Sequence, residues 1–365
     1  MKMNAMRPLA LSIGLMFAYT GCASEGSSGL RFEQGIPEVA GADVREKILN
    51  NAGVNIIFLD SGTDVIPADS NLSSTYQALK DESPELLEEV SSNLTTATKG
   101  LYIPVSVDIV TAPLFDSSCI DATSEEELTA IHDNAGPLLE EDALNIIVAD
   151  TLFCDKSANT PGKTTPGMPP LLTVAASYNF PDILTHELGH SAGLGHAGEL
   201  LCDQPEAFQS CEKFSTIDYL SIMGYRDGKN FSNFELASIG LIDDDAILHN
   251  PSPGEIVLRD IGQLGEAPQG IVMDTENGQL FVSWEKDYIA GEEIRSLQLR
   301  IIDTDDRVLE PYLVSTKGNA YSSSSGQSSN LTMIPGTVVY SDSKIKIAYL
   351  GMNQNGEAIV KVEGN

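Results

Sequence analysis

Hydrophobic and polar positions follow two different patterns along this chain of 365 residues, and the change comes near residue 245. Before it, apolar runs at 53–60, 100–110, 144–152 and 171–177 predict strands, and acidic helical stretches separate several of them. After it, short segments alternate apolar and polar residues between turn sequences such as ENGQ and QNGE. The pattern therefore predicts an α+β fold: a mixed domain over 100–245, followed by an all-β sandwich over 246–365.

The chain before residue 100 is less informative. It contains a predicted helix at 42–51, the strand at 53–60 and an acidic helical stretch from Asp81. We interpret 23–99 as a tether that leads into either a propiece or an N-terminal extension of the next domain. The sequence does not decide between these two alternatives.

One predicted helix carries an unusual group of histidines. Pro181 and Asp182 indicate its start, and three of the five histidines of the chain fall within THELGHSAGLGH at 185–196. His186 and His190 are four residues apart, so both imidazoles lie on one helix face, close enough to share a metal ion. A continued helix would carry His196 about 9 Å beyond His190. We therefore expect the helix to end at Gly193 in the left-handed conformation, so that the chain reverses and His196 lies close to His186 and His190.

This string fits the pattern HExxHxxGxxH and resembles the metzincin zinc peptidases through His186, Glu187, His190, Gly193 and His196. The resemblance implies a mixed sheet with an active-site helix, one catalytic Zn²⁺ held by the three histidines, and a fourth position for water. It implies that Glu187 is the general base of a zinc endopeptidase that hydrolyses protein or peptide substrates.

The sequence SIMGY at 221–225 resembles the Met-turn of the same clan. The resemblance makes Met223 an apolar floor beneath the metal ligands. It makes Tyr225 a second catalytic candidate, whose hydroxyl would stabilise a developing oxyanion.

Further resemblance narrows the group. The segment 231–242 is similar to the helix that follows the Met-turn in gametolysin-like and pappalysin-like metzincins, and 269–291 resembles the β-rich tail of the gametolysin-like group. Ala197 counts against the astacin-like branch, which has Glu after the last ligand. The alternative from another functional class is a catalytically silent surface-binding or adhesion lipoprotein on a metzincin scaffold. The retained Glu187 favours the enzyme.

Charge excludes several kinds of partner. The chain has 53 acidic and 21 basic side chains and a formal net charge of -32. Such a surface repels nucleic acid and anionic lipid, so we expect neither as a partner, and we expect a monomer. Calcium has little support, because Asp243, Asp244 and Asp245 lack the alternating ligand spacing of a calcium loop.

The N-terminal 22 residues have the form of an export signal. Lys2 and Arg7 precede an apolar run at 9–18, which is too short for a permanent membrane helix. The run ends in YTGC, similar to the lipobox of bacterial lipoproteins, with Cys22 as the lipidation candidate. Tyr19 departs from that motif. The chain is thus predicted to be exported, either anchored through lipid to the cell envelope, in the outer membrane, or freely secreted.

Four further cysteines predict two disulfides in an exported protein. Cys202 and Cys211 would close a short loop after the histidines, which leaves Cys119 for Cys154 by elimination. The connectivity stays open at this stage, and a cysteine metal site is the weaker alternative because no Cys-x-x-Cys pair exists.

The predicted β-sandwich also has two interpretations. It covers a face of the catalytic domain, or it binds glycans or a protein surface. Trp284 and Tyr288 are the aromatic candidates for such binding.

Overall fold

The structure is a computed structural model, and it describes most of the chain after residue 40. The described residues are 41–60, 72–113, 120–121, 124–150, 162–164, 169–173, 179–203, 211–214, 218, 220–224, 228–289, 292–302, 311–316 and 334–364. Within these residues the fold is α+β, with several sheets and few helices.

The helices and strands are numbered here in chain order. The helices are α1 Ala42–Leu49, α2 Leu72–Lys80, α3 Pro84–Ala97, α4 Glu125–Ala135, α5 Phe180–Ser191 and α6 Asn233–Ser238. The strands of the first half are β1 Val54–Asp60, β2 Val107–Pro113, β3 Leu144–Ala149, β4 Gly162–Lys163, β5 Leu171–Thr173, β6 Gly198–Cys202 and β7 Glu212–Phe214. The later strands are β8 Ile247–His249, β9 Gly254–Leu258, β10 Gly270–Thr275, β11 Gly278–Ile289, β12 Glu292–Ile302, β13 Pro311–Thr316, β14 Thr337–Ser341, β15 Ile345–Met352 and β16 Ala358–Gly364.

The first sheet has five strands in the order β2-β1-β3-β5-β4. The first four are parallel, and β4 is antiparallel to β5. Ile56 and Phe58 of β1 face a core that includes α3 and α5, whereas Ile57 and Leu59 face a second core that includes α4. Both sides of β1 are therefore buried beneath helices, which explains its nearly continuous apolar sequence.

The strand predicted over 100–110 begins later than the alternation suggested. β2 starts at Val107, and Ile103 and Val105 are 57% and 76% exposed. Their backbone N–H groups bond instead to Asn51, one to its side-chain oxygen and one to its carbonyl. The alternation before Val107 thus belongs to a loop, and that part of the prediction was wrong.

Two further sheets form the C-terminal part. One has seven strands in the order β7-β6-β13-β12-β11-β10-β8, and the other has four in the order β14-β15-β16-β9. Their facing sides share one apolar core, to which β10, β11 and β12 contribute from one sheet and β9, β15 and β16 from the other. Trp284 and Tyr349 stack across this core with ring centroids 6.0 Å apart. The apolar positions of these alternating strands line this core. The opposite side of β11 and β12, with Phe281, Glu285 and Arg300, is also buried, and Phe281 belongs to the core that includes α3 and α5.

The seven-stranded sheet takes strands from both sides of residue 245. β6 runs parallel to β13, with Gly198 opposite Tyr312 and Cys202 opposite Thr316. β7 is antiparallel to β6. The histidine segment is therefore followed directly by a strand of the C-terminal sheet.

The Cys202–Cys211 disulfide is present, as predicted, and joins the end of β6 to the residue before β7. Cys119 and Cys154 lie outside the described residues, as do Cys22 and the whole export signal. In the part of the chain that the structure describes, no helix is long and apolar enough to cross a membrane.

Candidate metal centre

Helix α5 carries the first two histidines and ends where the third becomes reachable. Gly193 has φ +95°, in the left-handed region. Its N–H donates to the carbonyl of His190, and the N–H of Leu194 donates to that of Gly189, both at 2.9 Å. This pair of bonds is the Schellman arrangement, which satisfies the last carbonyls of a helix and reverses the chain. His196 is thereby carried back toward α5.

The reversal brings the three imidazoles together. One nitrogen of each lies within 4.8 Å of the others, and the ring centroids of His196 are 4.7 Å from His190 and 5.3 Å from His186. Among the described residues, these are the histidine, cysteine and carboxylate groups placed to hold a metal ion together. The aspartates at 243–245 do not form such a group.

Backbone carbonyls fix the orientation of two of the rings. Nδ1 of His186 lies 2.7 Å from the carbonyl oxygen of Ile222, and Nδ1 of His190 lies 2.7 Å from that of Leu194. A carbonyl only accepts hydrogen bonds, so each Nδ1 carries a hydrogen, and in a neutral ring this leaves the lone pair on Nε2. The two Nε2 atoms are 3.0 Å apart. A cation that lies against both atoms, either a shared proton or a metal ion, stabilises this contact.

Burial disfavours the charged forms of His190 and His196. Desolvation lowers the pKa of His190 well below its usual value, and the neighbouring imidazoles of His186 and His196 lower it further. Desolvation, with a smaller contribution from His186, lowers the pKa of His196 to about 4. Neutral imidazole is the form that binds metal, so protons do not compete for these two ligands near pH 7.

Glu187 lies beside the cluster, in contact with the edge of the first sheet. Its side chain is 3% exposed, and the Thr164 hydroxyl donates to its Oε2 at 2.8 Å. A Cβ added to Gly162 of β4 would approach the Glu187 carboxyl group to 2.7 Å, so only glycine fits there. Burial raises the pKa of Glu187, against the opposing effects of His186 and Thr164. A raised pKa is the direction that general-base catalysis favours in a carboxyl group.

Met223 is fully buried and lies against α5. A Cβ added to Gly189 would lie 2.5 Å from the Met223 sulfur, so the thioether packs directly on the helix backbone. The Met223 carbonyl accepts from the N–H of Ala197 at 3.0 Å. The turn that contains Met223 thus contacts both α5, which carries His186 and His190, and Ala197, the residue after His196. The sequence motif gave Gly189 no role, because its contact partner is remote in the chain.

Other candidates lie elsewhere. Tyr225 and the side chain of Tyr288 are outside the described residues. Trp284 is only 2% exposed, and its indole N–H donates to the Gly356 carbonyl at 3.0 Å. The prediction that Trp284 binds a glycan or a protein surface was therefore wrong, because the ring belongs to the core between the two sheets. His249 pairs with Asp244 at 2.9 Å and is not part of the cluster.

Comparison with known proteins gives no independent assignment: no protein-family model matches the chain, and no curated protein matches it.

Proposed function

We propose that this protein is an exported zinc endopeptidase of the metzincin type. The observation that carries the proposal is the pair of Nε2 atoms of His186 and His190, 3.0 Å apart, with His196 beside them. Two nitrogens of a tetrahedral zinc site stand about 3.3 Å apart, from bond lengths of about 2.0–2.1 Å. The donor set, three imidazoles, is that of a catalytic zinc site with a position left for water.

The chain supplies the remaining chemistry. Zinc, when bound, polarises a carbonyl group and lowers the pKa of water. Glu187 accepts the proton of the attacking water at a carboxylate oxygen and returns it to the leaving amine. Thr164 holds that carboxylate in place through its hydrogen bond to Oε2. The water becomes part of the new carboxyl group, and the peptide C–N bond breaks.

The position of β4 supports a peptide as the substrate. β4 is the last strand of its sheet, pairs only with β5 among the described residues, and lies against Glu187. A substrate peptide that paired with β4 as an additional strand would run past Glu187 and present its peptide bonds to that carboxylate.

The finer description of the fold belongs to the same proposal: a metzincin domain followed by a β-sandwich built from the two C-terminal sheets. We further propose that the chain is a monomer, anchored by lipid at Cys22 or freely secreted.

Metal analysis and one substitution test the proposed activity. The purified full-length chain should retain about one zinc ion and digest casein or gelatin. Glu187→Gln should keep the zinc and abolish cleavage, because the amide cannot accept the proton. Glu126→Gln is the control, since that glutamate is exposed on α4.

Cleavage that survives Glu187→Gln would contradict the mechanism. A zinc-loaded wild-type protein that cleaves no protein or peptide would favour the alternative of a silent surface-binding protein.

A further inference from the structure

A buried ion pair connects the C-terminal sheet to the turn beneath the histidines. Arg300 of β12 is completely buried, and its guanidinium pairs with the equally buried Asp218. Its other terminal nitrogen donates to Oε1 of Gln298 at 2.7 Å. The second oxygen of Asp218 accepts the N–H of Leu220 at 2.8 Å, at the start of the turn formed by residues 220–224. Arg300 of the C-terminal sheet thus holds Asp218, and Asp218 in turn binds Leu220, the first residue of this turn.

The same turn is held from a second side by α6. Both carboxylate oxygens of Glu235 lie 2.7 Å from the Ser221 hydroxyl, and that hydroxyl accepts the N–H of Met223 at 3.0 Å. Glu235 also accepts the N–H of Ser232 and so completes the capping box of α6. Arg300 interacts favourably with the charge of Glu235 and lowers its pKa against the larger effect of burial.

This turn directly orients the metal-binding groups. The Ile222 carbonyl receives the Nδ1 hydrogen of His186, and the Met223 carbonyl receives the N–H of Ala197, next to His196. Two residues after His196 the chain enters β6, which pairs with β13. Two of the three imidazoles are therefore positioned by groups that the C-terminal sheet holds in place.

We propose that Arg300 and Asp218 are positioning residues of the metal centre, and that the C-terminal sheets are a structural part of that centre. The inference rests on the proposed zinc site but not on peptidase activity. Loss of a hydrogen-bonding partner behind a metal ligand typically weakens metal binding by roughly tenfold to a hundredfold. We expect a loss of that size when Arg300 no longer holds Asp218.

The chain provides a matched control. Lys99, at the end of α3, pairs with the buried Glu285 of β11 at 2.7 Å. This second ion pair also joins the first half of the molecule to the seven-stranded sheet. Both residues contact Asn233, and Glu285 also accepts the hydroxyl hydrogen of Ser283. None of these hydrogen bonds reaches the 220–224 turn. Glu285 also interacts with the charge of Arg300, but less strongly than Asp218 does. Because Lys99→Met leaves the contacts of Arg300 with Asp218 and Gln298 in place, we expect it to lower stability without releasing the turn.

The test compares Arg300→Met with Lys99→Met in the full-length chain. Zinc affinity is measured by competition with a chelator, and the geometry of the site by the visible absorption of the Co²⁺ form. Thermal unfolding of the metal-free protein reports stability. We expect Arg300→Met to weaken zinc binding roughly tenfold to a hundredfold and to change the Co²⁺ spectrum. Lys99→Met should lower the unfolding temperature while both metal readouts stay at the wild-type values.

Two milder variants keep the test decisive if Arg300→Met does not fold. Arg300→Lys retains a cation and Asp218→Asn retains the acceptor for Leu220, and both should weaken zinc binding with a smaller loss of stability. Wild-type zinc affinity and Co²⁺ spectrum in folded Arg300→Lys and Asp218→Asn would overturn the proposal, as would equal losses in the Arg300 and Lys99 variants. Because no substrate is used, a wild-type chain that binds zinc without cleaving peptides would contradict the proposed activity alone.

Discussion

The region around α5 and the region of the C-terminal sheets are built in different ways. In the first, parallel strands are joined by helices, and the candidate metal ligands fall within eleven residues of one helix and its C-terminal turn. In the second, most neighbouring strands are antiparallel and follow one another in the chain, and their buried side chains are mainly structural. The candidate metal ligands and the sheets that support them thus come from separate parts of the sequence. The two regions contact each other through Arg300 with Asp218, Phe281 with Phe234, and β13 with β6.

Removal of the C-terminal sheets should have the largest effect on the metal-binding region, because it removes all of this support. A chain that ends at residue 245 lacks β13 beside β6 and Arg300 beside Asp218, and it uncovers Phe234, whose ring packs on Phe281 at 5.6 Å. We expect complete loss of cooperative unfolding and of zinc retention. Circular dichroism on heating and metal analysis check this against the full-length chain. A truncated chain that melts sharply and holds one zinc ion would show that the two regions are independent.

Metal removal has the next largest expected effect. At a free zinc concentration of 100 to 1,000 times Kd, binding adds about 2.7 to 4.1 kcal/mol to the free energy of unfolding. Denaturant unfolding with zinc and with EDTA should show this difference in the wild type and none in His190→Ala. His249→Ala is the matched control, because that imidazole pairs with Asp244 away from the cluster. A zinc-dependent gain in His190→Ala would place the metal elsewhere.

The smallest expected effect concerns the helix end. Gly193→Ala puts a side chain at φ +95° and should cost about 1 to 2 kcal/mol of unfolding free energy. It should also weaken zinc binding, since the reversal that returns His196 is strained. Gly136→Ala is the control, because that glycine has φ -47° and a Cβ added there would meet no atom within 4 Å. Equal stability losses in the two variants would mean that the left-handed conformation is not what Gly193 provides.

Features that depend on near neighbours in the chain were the predictable ones. The α+β class, the helix that carries the histidines and the Cys202–Cys211 pair all follow from local spacing and periodicity. The position of Trp284 was also predictable from the sequence. It follows Leu280 and Val282 at intervals of two residues, so all three side chains lie on the same buried side of the strand. The interpretation as a binding platform ignored that alternation.

Long-range contacts were not predictable from the sequence. Arg300 and Asp218 are 82 residues apart. The alternation of β12 puts Arg300 on the polar side of the strand, but it does not predict that this side is buried as well. The contact of Gly189 with Met223 likewise becomes visible only when the turn is folded against the helix. The alternation at Ile103 and Val105 misled because a loop that hydrogen-bonds to Asn51 happens to carry the same spacing as a strand.

The interior position of β1 in the first sheet limits which N-terminal residues the protein can lose. β1 is hydrogen-bonded to β2 on one side and to β3 on the other, and Gly41, just before α1, lies against the backbone of Ser191 at the end of α5. A chain cut so that everything before residue 100 is lost would therefore lack an interior strand of its first sheet. For the peptidase that we propose, this favours residues 41–60 as a lasting part of the fold over a removable propiece.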